Sequence, residues 1–369
     1  MGRSVWAGLD VGVETTSVCI IDDAGDRLAQ ATCPTDLLSV HRELECLAQG
    51  EVARVGVEAS GSLTLARGLR SLGYSVDAYE TRQLSKFLRL RRNKTDAGDA
   101  IGIAEAGRLG AAMISKVHLK SLESQSLQSR LTIRRFLIRQ RVAAVNLLCR
   151  QIEVYGGRLR NCGRSLQFRQ AFTAEMEKLF GKRRTPLTRD LWRMLAYCEK
   201  LLALQYAMDA HLRALSKQIE VCRRFKEIPG VGPICALNFF AAVDDPHRFS
   251  RSTDIGAYFG LAPRLHQSGL TTRPGCISRM GNRTMRSLLV ASAVRFMRAS
   301  PVESELRQWA TNIEQRRGKK RARVALARKL AVVMLTMWKR GESFDPKCAV
   351  QSCHDPPLAA DVLPEPSPV

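Results

Sequence analysis

The sequence predicts an α/β domain, followed by a long helical arm and a mainly α-helical domain. Over residues 1–112, short β-branched runs alternate with helical patterns, as they do in α/β domains. Two long amphipathic patterns, at 115–160 and 187–222, predict the arm. Glycine-containing turns and shorter apolar runs then continue to residue 340. A chain of 369 residues is long enough for two or three such domains.

The first domain opens with two apolar runs around a glycine-containing turn. Residues 5–21 hold both runs, which predicts a β-hairpin. Further strands are expected at 52–58 and 74–79, and helices at 36–49 and 62–72. Because strands and helices alternate, we expect the helices to pack against one central sheet.

The arm, residues 113–224, combines a helical apolar pattern with many arginines. Leucines and valines recur at helical spacing in both amphipathic patterns, which predicts two long helices paired as an antiparallel coiled coil. The basic segment 156–184 is interpreted as the connection between them. An ordinary core pair of helices with solvated arginines fits the same pattern.

The last part of the chain divides into a folded domain at 225–340 and a tail at 341–369. The tail is rich in proline, which predicts disorder. Its Cys348, Cys353 and His354 lack the second ligand pair that a structural metal site needs. The 11 cysteines include no Cys-x-x-Cys pair, and their odd number without a signal peptide favours a reducing, cytosolic setting. No apolar run reaches the ~20 residues of a membrane helix.

The charge is strongly positive and unevenly distributed. Lys and Arg number 58 against 35 Asp and Glu, a net charge of +23. Residues 1–100 carry a net charge of −2, residues 129–224 carry +14 and residues 225–369 carry +10. Such an excess predicts a polyanionic partner, by default a nucleic acid. A soluble basic protein without such a partner is the alternative.

Four carboxylates stand at positions where a metal site can form. Asp10 ends the first apolar run and Glu58 ends a predicted strand, while Asp96 and Asp99 share one face of a predicted helix. Mg²⁺ prefers oxygen ligands, and two such ions roughly 3.5–4 Å apart serve phosphoryl transfer. The four acids therefore predict a site for Mg²⁺, with two ions. Each acid alone also fits a structural role, such as a helix N-cap for Asp96.

Basic residues precede the last two acids, and we expect them to hold a phosphate backbone. They are Arg89, Arg91, Arg92 and Lys94. The pattern Asp-x-Gly-x-x-Thr at 10–15 also opens the phosphate loop of actin-like sugar kinases. Those enzymes need a second glycine-rich phosphate loop on a later strand. The sequence contains no such loop, so metal-dependent chemistry on nucleic acid is favoured.

A glycine-containing turn marks the start of the third domain. Residues 228–233 read Ile-Pro-Gly-Val-Gly-Pro and precede an apolar run, which resembles a helix-hairpin-helix. Gly230 and Gly232 permit a tight turn whose backbone N–H groups can face a DNA phosphate. A plain turn between helices is the alternative.

A second glycine-rich segment, 260–283, holds a candidate nucleophile. Ser268 is predicted to lie in a glycine-rich loop there, with basic residues close by. A serine can attack phosphorus when a base or a metal activates it and cations stabilise the developing charge. Ser278 is the second choice. The candidate nucleic-acid contacts of this segment are Arg273, Arg279, Asn282 and Arg283.

Taken in order, these motifs resemble the insertion-sequence 110/1111 family of transposases. The motifs are Gly-Leu-Asp-Val at 8–11, Val-Glu-Ala-Ser-Gly at 57–61, Lys-Thr-Asp-Ala-Gly-Asp-Ala at 94–100, the turn at 228–233, Gly-Leu-Ala-Pro at 260–263 and the segment from Ser268 to Asn282. Two differences stand out. Gln267 occupies a position where the family commonly has a second serine, and Ser-Gly-Ser at 60–62 replaces a frequent Thr-Gly-Tyr.

The resemblance implies an RNase H/RuvC-like DEDD domain in front of a transposase-20 domain. It implies that Asp10, Glu58, Asp96 and Asp99 bind Mg²⁺ and that Ser268 forms a 5′-phosphoserine link to DNA. It further implies a structured bridge RNA that joins donor and target DNA, homodimers that pair into tetramers, and a bacterial or archaeal cytoplasm. Two other functions fit the residues: a RuvC-like junction-resolving nuclease that uses water, and a non-catalytic RNA-binding protein.

Overall fold

The structure, a computed structural model, describes residues 4–48, 50–90, 95–110, 114–159, 166–268, 271–299 and 304–346. They form two compact units, one ending at Lys120 and the other beginning at Ser121. Most of the proline-rich tail, with Cys348, Cys353 and His354, lies outside the described residues. The predicted domain boundaries at 112, 224 and 340 stay predictions. No helix of the described part combines the length and apolarity needed to cross a membrane.

The first unit is built on a six-stranded mixed sheet. Its strands are β1 (Ser4–Val11), β2 (Thr15–Ile21), β3 (Arg27–Pro34), β4 (Glu51–Glu58), β5 (Val76–Tyr79) and β6 (Lys116–Val117). Its helices are α1 (Leu37–Leu47), α2 (Leu63–Ser71), α3 (Thr81–Leu88) and α4 (Asp96–Leu109). The strand order is β3-β2-β1-β4-β5-β6. The first three strands are antiparallel, and β4 and β5 run parallel to β1. This is the expected α/β, RNase H-like domain.

Side chains alternate along each strand, so the sheet presents two faces, and helices cover both of them. Leu9 of β1 and Val57 of β4 belong to the main core, which α1 and α2 cover with residues such as Leu44 and Leu69. The opposite face of the sheet packs against α4, where Ala100 and neighbouring residues form a smaller core. The predicted hairpin, strands and helices of this domain are confirmed, with ends shifted by a few residues.

The second unit is mainly helical. Its helices are α5 (Leu122–Val154), α6 (Leu166–Phe180), α7 (Pro186–Gln218), α8 (Glu220–Phe225), α9 (Pro233–Val243), α10 (Ile255–Tyr258), α11 (Arg283–Ala299), α12 (Glu305–Arg317) and α13 (Lys319–Arg340). A two-stranded sheet, β7 (Pro263–Ser268) and β8 (Thr271–Ile277), interrupts them. One core joins α8–α13 to parts of α5 and α7.

The arm consists of the two long helices α5 and α7, which pack against each other in antiparallel directions. Arg134 of α5 contacts Asp209 of α7, and Arg141, further along α5, donates to Gln205, which lies earlier on α7. The predicted helix at 115–160 begins only at Leu122, since Ser121 caps it by accepting from the Ser124 N–H. The predicted helix at 187–222 divides into α7 and α8.

The interpretation of 156–184 as a plain connection was wrong. Residues 166–180 form α6, and its Phe168, Phe172 and Met176 are buried in a core with α5 and α7. These three residues recur every four positions, which is a helical period. The many basic residues of the segment suggested an exposed connection. In an amphipathic helix, however, such cations lie on the solvent side while the apolar residues are buried.

Removing the carboxylate of Asp209 should destabilise the arm. The side chain of Asp209 is 8% exposed and that of its partner Arg134 is 20% exposed. Asp209→Ala leaves the guanidinium without its carboxylate, and we expect a loss of about 3 kcal/mol of unfolding free energy. Asp190→Ala on the same helix is the control, since Asp190 pairs with Arg193 in solvent. Urea unfolding followed by circular dichroism measures both, and equal stabilities would contradict this account of the arm.

Candidate active site

Asp10 and Glu58 lie side by side at the carboxyl ends of two parallel strands. The register of β1 and β4 pairs Leu9 with Val57, and the next residue of each strand is one of the two acids. Adjacent strands are about 4.8 Å apart. Leu9 and Val57 point into the main core, so alternation places both carboxylates on the opposite face, where both residues are partly exposed.

Helix α4 covers that same face because two glycines let it approach. Gly8 and Gly56 each precede one of the acids by two positions, on the same side of the sheet. A Cβ atom on Gly8 would lie 2.1 Å from the carbonyl oxygen of Ala100, and one on Gly56 would lie 2.9 Å from that of Ile103. The backbone of α4 therefore rests directly on the sheet, and any larger residue at these positions must displace it.

The contacts also fix the direction of α4. Gly8 approaches Ala100, whereas Trp6, two residues earlier on β1, lies near Gly107 of α4. Moving towards the start of β1 thus means moving towards the end of α4, so the helix is antiparallel to the strand. The first turn of α4 therefore lies at the carboxyl end of β1, the end that carries Asp10.

That first turn contains Asp96 and Asp99. Its N-cap is Thr95, whose hydroxyl accepts from the Gly98 N–H at 3.0 Å, so the capping role considered for Asp96 was wrong. Asp96 is exposed and Asp99 partly exposed. Acidic residues in a first turn are favoured by the helix dipole, which stabilises this arrangement. The backbone thus brings all four predicted acids to one end of the sheet.

The donor chemistry of these acids fits a divalent cation, since every ligand would be a carboxylate oxygen. In the described part of the chain, however, no three His, Cys, Asp or Glu side chains lie close enough together to hold a metal ion. The Glu58 carboxylate instead accepts from the Ser60 hydroxyl at 2.6 Å. A ligating cluster would require side-chain rotation at this end of the sheet, and the assignment of the four acids as metal ligands stays a prediction.

Three further residues surround the acids. Ser17 of β2 is the cross-strand partner of Asp10, and Ser60 donates to Glu58. Tyr79 of β5 is the cross-strand partner of Glu58 and is fully buried. Burial raises the pKa of the Tyr79 hydroxyl, and the negative charge of Asp77 raises it further. The register of the strands identifies Ser17 and Tyr79, which none of the sequence motifs contains, whereas Ser60 belongs to the motif at 57–61.

The basic residues predicted to precede Asp96 are only partly described. Arg89 is exposed and follows α3 as its C-cap residue. Arg91, Arg92 and Lys94 lie outside the described residues. Their proposed contact with a phosphate backbone therefore stays a prediction.

Ser268 is the last residue of strand β7, not part of a loop as the sequence suggested. It pairs with Thr271 of β8 in a two-stranded hairpin. The side chains of residues 265–274, which include Ser268 and Arg273, lie outside the described part. Ser278 follows β8, and its N–H donates to the carbonyl oxygen of Ala262 at 2.8 Å.

Two glycines hold the base of this hairpin together. Gly260 and Gly281 both have positive φ angles, +66° and +73°. A Cβ atom on Gly260 would lie 2.1 Å from the Met280 carbonyl oxygen, and one on Gly281 would lie 2.2 Å from that of Tyr258. The two backbone segments are thus in direct contact. This close approach explains the glycine of the motif at 260–263 and Gly281 of the segment from Ser268 to Asn282.

A cluster of guanidinium groups lies beside the hairpin base. Arg286 of α11 donates to the carbonyl oxygens of Phe259 and Met280, at 2.9 and 3.0 Å. Burial lowers the pKa of Arg286, and the charges of Arg279 and Arg283 lower it further. Three arginines close together suit a phosphate. Arg279 and Arg283 were predicted as nucleic-acid contacts, whereas Arg286 was not.

Asn282 has a structural task in addition to its predicted one. Its side-chain oxygen accepts from the Met285 N–H at 3.0 Å and so caps the start of α11. Nearby, the Arg264 guanidinium donates to the Ser278 carbonyl oxygen at 3.0 Å. Both contacts fix the backbone on which the arginine cluster stands.

The two glycines of the predicted helix-hairpin-helix differ in their surroundings. A Cβ atom on Gly230, whose φ is +86°, would lie 2.6 Å from the Ser292 carbonyl oxygen of α11. Gly232 is the N-cap residue of α9 and has no atom within 4 Å of such a position among the described residues. Gly230 is therefore explained by packing, and only Gly232 faces open space.

Two family models match the chain. The model of DEDD transposases of the IS110 type matches residues 7–155, and the model of the IS116/IS110/IS902 transposase family matches residues 222–308. The first match contains the four acids, and the second contains both candidate serines. Together they cover the α/β unit, the first arm helix and the hairpin region.

Curated relatives agree with these models. The chain is 29% identical to the transposase for insertion sequence element IS1111A of Coxiella burnetii, over 91% of this chain and 90% of the relative. It is 29% identical to a probable family 20 transposase of Pseudomonas aeruginosa, over 79% and 86%. A pilin gene-inverting protein of Moraxella bovis is 30% identical over 32% of this chain and 37% of its own length. The chain therefore belongs to the IS110/IS1111 family of transposases, with a DEDD domain in front of a transposase-20 domain.

Proposed function

We propose that this transposase excises and inserts a mobile element by DNA strand exchange through a covalent serine–DNA intermediate. A transposase cleaves and joins DNA strands, and a DEDD domain implies the use of divalent metal. The observation that carries the proposal is the placement of Asp10 and Glu58 on adjacent strand ends, with the turn that holds Asp96 and Asp99 at the same end of the sheet. Such a set serves phosphoryl transfer better than any structural role.

The four acids would bind Mg²⁺, most simply two ions. When bound, Mg²⁺ neutralises charge on the phosphate that reacts. The contribution of the chain is to hold Asp10 and Glu58 on rigid strands and to fix α4 against the sheet through Gly8 and Gly56. Ligands on rigid, closely packed elements keep their geometry better than ligands on loops.

Ser268 would be the nucleophile. Its oxygen would form a bond to the phosphorus as the bond from phosphorus to the 3′-oxygen of the neighbouring nucleotide breaks. The serine proton would pass to a base, and the DNA would keep a 5′-phosphoserine link and a free 3′-hydroxyl. Attack of a 3′-hydroxyl from another strand would then rejoin DNA and release the serine, so no bond energy is lost. Arg279, Arg283 and Arg286 would stabilise the charge on phosphate.

The arm would bind a structured bridge RNA from the element. Residues 129–224 hold 21 basic and 7 acidic residues, a net charge of +14. Arg135 and Arg139 are exposed and lie one turn apart on α5, and Arg130 stands nearer its packed face. Cations spaced along a long helix can follow a phosphate backbone over several nucleotides. We propose that this RNA selects the donor and target DNA.

The arm would also form the homodimer. Apolar residues recur on the exposed side of α5 at spacings of 3, 11 and 7 residues, which are sums of the helical spacings three and four. Their exposed fractions are 51% for Ile133, 49% for Phe136, 44% for Leu147 and 72% for Val154. A heptad stripe of this kind is typical of a helix that pairs with a second copy. We propose that such dimers pair into tetramers during strand exchange.

A Ser268→Ala variant separates this function from the runner-up, a junction-resolving nuclease that uses water. The assay mixes protein, element-junction DNA, RNA transcribed from the element flanks and Mg²⁺, and it counts joined products and nicks separately. We expect the variant to lose joined products, with Ser278→Ala as the matched control that retains them. Undiminished joining in Ser268→Ala would refute the serine nucleophile. If Ser268→Ala nicks the DNA as fast as the wild type and neither protein joins it, the nuclease is favoured.

A further inference from the structure

The turn between α12 and α13 carries an unusual density of positive charge. Six of the eight residues 316–323 are Lys or Arg. The two exceptions have structural reasons: Gly318 has a φ of +81° at the turn, and Ala322 is 2% exposed in the core. Every position of this segment that neither turns the chain nor fills the core is therefore a cation. We call residues 316–323 the basic turn.

These charges are not balanced within the described part of the chain, where none of the six forms an ion pair with a carboxylate. Arg316 donates to the Asn312 carbonyl oxygen of its own helix. Other surface arginines of the unit do have acidic partners, as Arg224 has in Glu220. The residues from 316 to 321 are all exposed. The basic turn thus presents its charge to solvent.

The arrangement carries a cost in the unbound protein. Lys319, Lys320 and Arg321 occupy the first turn of α13, where the helix dipole favours acidic residues. Lys319 and Arg323 are four positions apart and repel each other. A polyanion would reverse both effects, because it supplies the missing negative charge at this helix end.

The basic turn belongs to the same helical body as the hairpin with Ser268. Arg328 of α13 lies against Gly256 of α10, where an added Cβ would be 2.8 Å from its Nε. Strand β7 begins five residues after α10. From Lys319 to Arg328 the helix rises about 14 Å, which equals roughly four base pairs of duplex DNA. The basic turn therefore lies about four base pairs along α13 from the helix that precedes the hairpin, and a duplex bound at the hairpin can extend to it.

We propose that the basic turn binds the phosphate backbone of double-stranded DNA beside the site of strand exchange. The inference rests on the proposed function only in that DNA is the polyanion concerned. Duplex DNA is the proposed partner because the basic turn belongs to the same helical body as the hairpin, whereas RNA is proposed to bind the arm. Its contacts are with phosphates, so binding there does not depend on base sequence.

The salt dependence of duplex binding tests the proposal. The full-length protein is titrated into a labelled duplex of about 30 base pairs, roughly three helical turns, in EDTA so that no strand is cut. Lys319→Gln/Lys320→Gln/Arg321→Gln is compared with Lys182→Gln/Arg183→Gln/Arg184→Gln. The second variant removes three consecutive exposed cations from the turn between α6 and α7. Net charge changes equally in both.

We expect only the first variant to weaken duplex binding. The slope of log Kobs against log salt should fall by about 2 to 3, since each lost phosphate contact contributes about 0.9. Its binding to an RNA duplex of the same length should weaken less, because the arm is the proposed RNA surface. Its thermal midpoint should equal or exceed that of the wild type, because the substitutions relieve the repulsion in α13, and this excludes unfolding as the cause.

Three results would overturn the inference. One is an unchanged slope in the first variant, and another is an equal decrease in both variants, which would reflect net charge alone. The third is an equal loss on RNA, which would point to an RNA surface. If instead the wild type fails to bind duplex DNA at all, the proposed function fails with the inference, so the two failures are distinguishable.

Discussion

An Asp99→Asn variant is expected to lose DNA strand cleavage while keeping its fold. Asparagine retains the size of the side chain but removes the negative charge that a divalent cation needs. We expect cleavage to fall by ~10³-fold or more, as when one essential electrostatic group is removed from an active site. The fold should lose only ~0.5 kcal/mol, the helix-dipole contribution of one acid in the first turn.

The control for this substitution lies on the same helix. Glu105 is also on α4, six residues after Asp99, where it forms an ion pair with Arg108 at 2.6 Å. Glu105→Gln should leave cleavage close to the wild-type rate. Asp10→Asn should match Asp99→Asn, because both acids lie at one end of the sheet. Cleavage at the wild-type rate in either aspartate variant would refute the metal site proposed here.

A Gly8→Ala variant should disrupt the first unit although it adds a single methyl group. That methyl would lie 2.1 Å from the Ala100 carbonyl oxygen and 2.3 Å from the Ala104 nitrogen, both of them backbone atoms of α4. The helix must move, and we expect a loss of about 3 kcal/mol. Since Asp96 and Asp99 are carried by that helix, cleavage should be lost even in the fraction that remains folded.

Gly107→Ala is the matched control in the same interface. Its added methyl would lie 3.5 Å from the Tyr79 hydroxyl and 3.8 Å from Trp6, which are ordinary contact distances. Alanine is favoured over glycine in a helix by about 1 kcal/mol, so stability should hold or rise. Thermal unfolding of the two variants provides the comparison. Equal midpoints would show that α4 does not rest on Gly8 as described.

Much of the first unit follows from local patterns in the sequence. The two apolar runs at 5–21 predict the β1–β2 hairpin, and the alternation of strands and helices predicts the sheet with its helices. The spacing of Asp96 and Asp99 places them on one helical face. The direction of α4 is different, because it depends on which residues of the helix meet Gly8 and Trp6. No local pattern encodes that contact, so the sequence alone does not place the acids at one end.

The hairpin that carries Ser268 shows a second limit of local patterns. Strand β8 contains Pro274 and Gly275, which are unfavourable in most strands and suggested a loop. In a two-stranded sheet both strands are edges, so a proline there interrupts no further pairing. Gly230 gives a third example. Its motif suggested a phosphate contact, but the nearby backbone of α11 explains it.

Covalent trapping of DNA tests the central claim most directly. Protein, end-labelled element-junction DNA, RNA from the element flanks and Mg²⁺ are mixed, and denaturing gels are examined for a protein–DNA adduct. We expect an adduct with the wild type and none with Ser268→Ala or Asp99→Asn, and peptide mapping should place the DNA on Ser268. Cleavage without any adduct, unchanged in Ser268→Ala, would contradict the account and favour a nuclease that uses water.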